Sequence, residues 1–300
     1  MNNMPNEFKS GFIAIVGRPN VGKSTLLNSL VGEKVAIVSN RPQTTRNRLM
    51  GVVCDEKYQM VFVDTPGIHK PRTQLGNFMM QAVQEGMEGI DALVVLVDVT
   101  AVGPGDRQIA EDMSRKKLPV LLLLNKIDLV QPQELLRIID IFKDMPFAAI
   151  LPISAKTGEG LDTLRQELLS RLPAGPKYFP DDMLTDQPER VLCAELIREK
   201  ALRHLRDEVP HGIGVEILKM EKKSENLMEI HADIYCEKDS HKSIIIGKHG
   251  AMLSLIGKEA RIDIESLLGM RVNLQLWVKV RPDWRNSKAD LRTLGYDNRE

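Results

Sequence analysis

Phe12-Ile13-Ala14-Ile15-Val16 runs directly into Gly17-Arg18-Pro19-Asn20-Val21-Gly22-Lys23-Ser24. The first five residues are strand-formers that stop at a glycine, and the next eight fit the pattern G-x-x-x-x-G-K-[ST]. Glycines let the backbone curl until its N–H groups face one point, which suits a cluster of phosphates. A helical pattern begins near Lys23 and adds the positive end of its dipole. Lys23 has the reach for outer phosphates, and the Ser24 hydroxyl suits a Mg²⁺ ion. A glycine-rich turn without a ligand reads the same letter by letter. The strand before and the helix after are the context that a phosphate loop requires.

Four more apolar runs follow in the first half. Met60 to Val63 stops at Asp64, Ala92 to Val97 at Asp98, Val120 to Leu124 at Asn125, and Ala148 to Ile153 at Ser154. Continuous apolar runs with long connections imply a mostly parallel sheet covered by helices on both faces, an α/β fold. In such sheets ligands bind beyond the carboxyl ends of the strands. Five polar endings on five strands point to one site along that edge.

Asp64-Thr65-Pro66-Gly67 has an acid placed to hold Mg²⁺ through water and a glycine whose N–H can approach a terminal phosphate. In Asn125-Lys126-Ile127-Asp128, a carboxylate in the base plane accepts two hydrogen bonds from guanine that adenine does not offer, so the tetrad selects GTP over ATP. Ser154-Ala155-Lys156 offers a backbone N–H to the guanine carbonyl. Each piece alone also reads as an ordinary cap or turn. All of them in order, each at a strand end, make one nucleotide site.

This order of motifs resembles the TRAFAC-class GTPases, which have a P-loop NTPase fold. In that family a threonine from a mobile loop completes the Mg²⁺ shell. The matching segment is Gln43-Thr44-Thr45-Arg46, with Thr45 the first choice and Thr44 the second, or both simply solvated loop residues. Val35 to Leu49 then corresponds to the first switch. The resemblance implies Lys23, Thr45, Gly67 and Asn20 as the catalytic set. Ser24, Thr45 and Asp64 would be the metal ligands. Gly17 through Ser24, Asp64 through Ile68, Asn125, Lys126, Asp128 and Ser154 through Lys156 would contact GTP. One departure matters: Ile68 stands where many small GTPases have a glutamine that orients the attacking water, and an alkyl chain cannot do so. Slow intrinsic turnover is implied. Asn20 has two readings. Related GTPases with this asparagine hold a K⁺ ion beside the phosphates; alternatively the residue only tolerates an unusual loop conformation.

The composition sets limits on the rest. The chain has 300 residues, 43% hydrophobic and 27% charged, an ordinary soluble mix that excludes disordered and fibrous classes. Lys plus Arg and Asp plus Glu are 41 each, so a nucleic-acid partner would need a local basic patch. The three cysteines, Cys54, Cys193 and Cys236, lack metal-ligand spacing and suggest a reducing, cytoplasmic setting. No apolar stretch reaches membrane-span length, and the first ten residues lack a signal-peptide run.

Residues 1–172 read as the GTPase domain, and the proline-rich 173–188 as a linker. Residues 189–300 read as a smaller α+β domain. Val191, Ala194, Ile197, Ala201 and Leu205 form one helical face, closed by Pro210. Two strand patterns follow, at Ile213 to Leu218 and Glu229 to Tyr235. Next come a short helix to Ile246, the break Gly247-Lys248-His249-Gly250, a second helical face, and alternating Val272, Leu274, Leu276, Val278 and Val280. This order resembles the type II KH fold, whose G-x-x-G loop clamps a nucleic-acid backbone. Ile246, Gly247, Lys248, His249 and Gly250 are then the RNA-binding residues. Without RNA, the same loop is a plain helix connection. Between Lys238 and Arg285 there are nine Lys/Arg against five Asp/Glu, a local basic patch. Trp277 either touches a base or packs against a neighbouring element.

A GTPase domain followed by a KH domain resembles the Era-like GTPases. What that resemblance implies is a monomeric, GTP- and GDP-binding assembly factor with Mg²⁺, and K⁺ as a second ion. It would bind the 3′ end of 16S rRNA and help mature the small ribosomal subunit. The family also implies partial peripheral association with the inner face of the cell membrane. Two other readings are an RNA chaperone that senses nucleotide with little hydrolysis, and a membrane or cell-cycle signalling GTPase without RNA.

Overall fold

The computed structural model describes residues 8–39, 41, 43–68, 71–207 and 209–296. Seven of the ten opening residues read above for a signal-peptide run, and positions 40 and 42 of the first switch segment, lie outside that set. The chain divides into two compact units. One comprises Met1–Ala36, Asn47–His69 and Met80–Asp186; the other comprises Ile37–Arg46, Lys70–Met79 and Gln187–Glu300.

The first unit contains β1 (Lys9–Gly17), α1 (Lys23–Val31), β2 (Leu49–Cys54), β3 (Tyr58–Asp64), the end of α2 (Gln74–Glu85), β4 (Ala92–Asp98), α3 (Pro104–Ser114), β5 (Val120–Asn125), α4 (Pro132–Phe142), β6 (Ala149–Ile153) and α5 (Leu161–Arg171). Its sheet is ordered β2-β3-β1-β4-β5-β6, with parallel pairs throughout except β2 against β3. The strand centres are apolar because both faces are covered. Ile13, Ile15, Val94, Leu96, Leu121 and Leu123 pack with Leu26 and Leu27 of α1 and Leu164 and Leu168 of α5. The alternate positions Ala14, Val16, Leu93, Val95, Leu122 and Leu124 pack with Ala110 of α3 and Phe142 of α4. A strand period of two divides one run between two cores.

The antiparallel strand β2 was not expected. Gly51 interrupts its short apolar run and makes it read as loop. The glycine is there because α1 crosses close above it: a Cβ at Gly51 would lie 2.6 Å from Leu27 Cδ1. The proline-rich stretch is also more ordered than its composition suggests. The Pro173 carbonyl accepts from the Ser10 N–H, and the Leu184 carbonyl from the Val52 N–H. The fully buried Gln59 amide donates to the Phe179 carbonyl at 2.8 Å and accepts from the Tyr178 N–H at 2.7 Å. Phe12 and Tyr178 rings meet at 5.0 Å. The stretch is a strap on the first unit as far as Asp186.

The second unit contains α6 (Glu189–His204), β7 (Gly214–Ser224), β8 (Leu227–Cys236), α7 (Asp239–Ile246), α8 (Ala251–Leu268), β9 (Arg271–Val280) and the short α9 (Lys288–Thr293). Its sheet is β7-β8-β9, antiparallel then parallel. Ile197 and Ala201 of α6, Ile230 and Ile234 of β8, Ile256, Ala260 and Ile264 of α8, and Val272 and Val278 of β9 share one core. Helix α6 also buries Arg198, Glu199 and Lys200, which its amphipathic pattern did not reveal. Lys200 pairs with Asp263 of α8 at 2.5 Å, and Arg198 pairs with Glu195.

Gln59→Leu keeps the bulk of the side chain but removes its three hydrogen bonds to the strap, the third from the Phe179 N–H at 3.0 Å, at a cost of about 1–3 kcal/mol. Urea denaturation is expected to record that loss. Hydrogen exchange should quicken at Tyr178 and Phe179 while β1 stays protected.

Candidate functional site

The carboxyl edge of the first sheet gathers the loops through strand register. Asp98 sits beside Asn125, and Asn125 beside Ile153, so three loops leave the sheet side by side. Gly17 lies opposite Leu96 and Ile15 opposite Asp64. Gly17, Arg18, Pro19, Asn20, Val21 and Gly22 form the turn into α1. Gly22 has φ of 105°, and a Cβ there would lie 2.4 Å from the Asn125 Nδ2. The Asn125 side chain is the brace of this edge. Its Nδ2 donates to the Val21 carbonyl at 2.8 Å and its Oδ1 accepts from the Ala155 N–H at 2.9 Å.

Lys23 is buried, with its Nζ donating to the Gly17 and Arg18 carbonyls at 3.2 and 3.0 Å. Burial lowers its pKa to about 8, with Asp64 opposing the shift. The Ser24 Oγ donates to the Asp64 Oδ2 at 2.8 Å, and Asp64 is fully buried at the end of β3. A hydroxyl and a carboxylate converging from two elements are hard oxygen donors of the kind Mg²⁺ accepts alongside phosphates and water. Thr65 donates its hydroxyl to the Ile15 carbonyl, which holds the turn down. Pro66 and Gly67 are buried, and a Cβ on Gly67 would meet Pro19 N at 2.7 Å. The Ile68 N–H donates to the Gly17 carbonyl at 3.1 Å, while its half-buried side chain packs against the core cluster that includes Ala14 and Val16.

At the opposite end of the site, the exposed Asp128 accepts from the Ser154 Oγ at 2.7 Å. Lys126 adopts a left-handed backbone, φ 73°, and its Nζ reaches the Asn20 carbonyl at 3.1 Å and the Asp98 carboxylate. Burial would raise the Asp98 pKa, but hydrogen bonds from Lys126 and Thr100 hold it below the ordinary carboxylate value. Lys156 is exposed. Asn20 has φ of 66°, a conformation asparagine tolerates better than most residues. Of the residues proposed above for the nucleotide and its metal, Thr45 alone falls outside this unit; it belongs to the segment Ile37–Arg46 of the second.

Several supporting residues had not been singled out. Asp106 holds the exposed Arg18 at 2.7 Å, and Asn28 binds the Val35 and Ala36 backbone. Asp98 had been noted only as a strand ending, and its place one register step from Asn125 was the available signal.

In the second unit, Gly247 has φ of 72° and His249 of 51°, so the G-x-x-G stretch bends sharply between α7 and α8. A Cβ on Gly247 would meet Met252 Cβ at 2.7 Å. Ile246 is half-buried, while Lys248 and His249 are exposed. From Gly250 a groove of about 550 Å³ runs along α8 and β9, lined by Leu253, Ser254, Gly257, Lys258, Arg261, Leu274 and Leu276. Apart from Gly250, these lining residues were not singled out in the sequence. The signal was the small or basic series Gly250, Ser254, Gly257, Arg261, which recurs at helical spacing. Trp277 is 43% exposed and meets His231 edge-on at 5.4 Å.

A family described as 50S ribosome-binding GTPase matches residues 12–126, and a KH domain family matches residues 208–285. The chain is 54% identical to the GTPase Era of Clostridioides difficile, over 97% of this chain and 100% of that protein. It is 52% identical to the GTPase Era of Ruminiclostridium cellulolyticum, over 96% and 98%. A crystal structure of Era in complex with MgGDPNP and nucleotides 1506–1542 of 16S ribosomal RNA has a TM-score of 0.92 and 42% identity, covering 96% of this chain and 99% of that one. An Aquifex aeolicus Era variant bound to GDP·AlF4⁻ has the same values. With half of its residues shared along nearly its whole length, and the two matched domains in the same order, this chain belongs to the Era family of GTPases.

Proposed function

We propose that this GTPase binds the 3′ end of 16S rRNA through the Gly247–Gly250 loop and the groove behind it, and promotes small-subunit maturation. The observation that carries the reading is the groove itself. A glycine turn opens onto a channel lined by Lys258 and Arg261 together with apolar Leu253, Leu274 and Leu276. Cations suit the nucleic-acid backbone and apolar faces suit bases. The related Era structure carries 16S rRNA nucleotides, which supports the choice of RNA.

In the first unit, Lys23 and the turn's N–H groups bind the phosphates, and Asp128 with the Ala155 N–H reads guanine. Ser24 and Asp64, with Thr45, would hold Mg²⁺, which when bound neutralises charge developing on the β- and γ-phosphates. The Gly67 N–H faces the terminal phosphate. Ile68 is packed on the core and cannot orient water, so intrinsic turnover is slow. Asn20 would hold K⁺. Turnover is then higher in KCl than in NaCl at equal ionic strength, and Asn20→Ala erases the difference.

The reading places the chain in the cytoplasm as a monomer, with a fraction on the inner face of the cell membrane, measurable by sedimentation with lipid vesicles. Among the described residues no helix is long and apolar enough to cross a membrane.

The lowered pKa of Lys23 has a consequence for binding. Phosphates raise it again, so above pH 8 the nucleotide binds with uptake of a proton, and affinity falls by up to about tenfold per pH unit. Well below pH 8 the ammonium is already charged and no uptake occurs at Lys23. Calorimetry at pH 8.5 in two buffers of different protonation enthalpy checks this; identical heats would contradict it.

Replacing Lys248 and His249 together with Asp is expected to lower affinity for the 16S 3′ end by at least about tenfold and flatten its salt dependence. GTP hydrolysis without RNA should persist, because both side chains are exposed and lie outside the first unit. A gel-shift titration beside a GTPase assay decides. Undiminished RNA affinity in a folded double variant would remove the KH interface.

A further inference from the structure

Both carboxylate oxygens of Asp98 are committed. Oδ1 accepts from the Thr100 N–H at 2.9 Å and the Thr100 hydroxyl at 2.7 Å, and Oδ2 accepts from Lys126 Nζ. The side chain is only 15% exposed. Burial alone would raise its pKa, but these bonds hold it below the ordinary carboxylate value, so it is charged at neutral pH. The backbone around the pair is fixed as well. Asp98 lies beside Asn125 in the sheet, and the Val99 N–H donates to the Asn125 carbonyl at 3.0 Å. An exposed ion pair contributes little because both partners must first be ordered. Here Asp98 is ordered before Lys126 arrives.

What the pair holds is a backbone conformation that needs support. Lys126 has φ of 73°, and Asn20, whose carbonyl takes the other Lys126 Nζ bond at 3.1 Å, has φ of 66°. Residues with a side chain adopt this left-handed region only at a cost. The Lys126 carbonyl accepts from the Leu129 N–H at 3.0 Å and closes the short turn Ile127–Leu129, which carries Asp128. The backbone angle at Lys126 therefore sets where Asp128 points. The Ser154 hydroxyl holds one Asp128 oxygen, but it does not fix the backbone beneath. A lysine left with one neutral carbonyl as its partner could swing to water, and the turn would relax with it.

We propose that Asp98 is a positioning residue for guanine recognition: by holding Lys126 against the phosphate turn it fixes the turn that aims Asp128, and so it sets the preference for guanine over bases without the exocyclic amine. The inference rests on the reading of Asp128 as the carboxylate that accepts from guanine. All of these residues belong to the first unit.

The test measures GDP and inosine diphosphate (IDP) affinity by calorimetry in the full chain. The variants are Asp98→Ala, Asp98→Asn, Lys126→Met, Asp98→Asn combined with Lys126→Met, and Asp128→Asn. IDP differs from GDP in lacking the amine that Asp128 would accept from, so the ratio of the two affinities reports the aim of Asp128. A general loosening of the fold lowers both affinities alike. Asp98→Ala and Asp98→Asn are expected to lower GDP affinity by at least about fivefold and the GDP-over-IDP preference by at least about threefold. Because Asp98 acts through Lys126, adding Asp98→Asn to Lys126→Met costs less than about twofold in further GDP affinity. If Asp98→Ala does not fold, the near-isosteric Asp98→Asn carries the same readings. An unchanged GDP-over-IDP preference in Asp98→Asn, or losses that multiply in the double variant, overturns the proposal. An Asp128→Asn variant that keeps the parent's preference would instead overturn the reading of Asp128.

Discussion

The Asn125 amide holds the nucleotide edge together. Both of its ends are spent on backbone, the Nδ2 on the Val21 carbonyl and the Oδ1 on the Ala155 N–H. The sheet brings it there, because Asn125 ends β5 between Asp98 and Ile153. Without this amide a buried carbonyl and a buried N–H lose their partners, at about 1–3 kcal/mol each. The phosphate turn and the loop after β6 would then be free to move apart. Gly22 must lack a side chain for the same reason, since the amide occupies its Cβ position. Lys23, Ser24 and Asp64 stand in a frame that this one side chain closes.

The second unit solves a different problem, the burial of charge. Helix α6 carries Arg198, Glu199 and Lys200 out of contact with water. Such burial is tolerable only where each charge finds partners. Lys200 has Asp263, and Arg198 has Glu195 together with two loop carbonyls. The arginines therefore act as fasteners for irregular backbone, which has no ladder of its own to satisfy it. The KH groove, in contrast, leaves Lys258 and Arg261 along an open channel.

The phosphate turn, the five parallel strands and the KH order were legible because each rests on local chemistry: glycines at turns, apolar runs ending in polar residues, and helical periods. The strand β2 was hidden by Gly51, whose purpose is visible only when Leu27 is seen above it. The strap was misjudged because proline density describes the free chain, whereas Gln59 binds it from a residue more than a hundred positions away. The groove behind the G-x-x-G loop was written in α8 as Gly250, Ser254, Gly257 and Arg261. It becomes a groove only against Leu274 and Leu276 of β9.

By itself the sequence determined the two fold types, the nucleotide motifs and the glycine loop, since these depend on residue type and spacing over a few positions. Only the tertiary structure decided which distant groups meet. Nothing in Gln43-Thr44-Thr45-Arg46 indicates that its arginine lies against the rings of both Trp284 and Tyr296, about 240 to 250 positions away. Burial of a charge is a property of the packed surroundings, so a polar letter in a loop reads as solvated until the core that encloses it has been built.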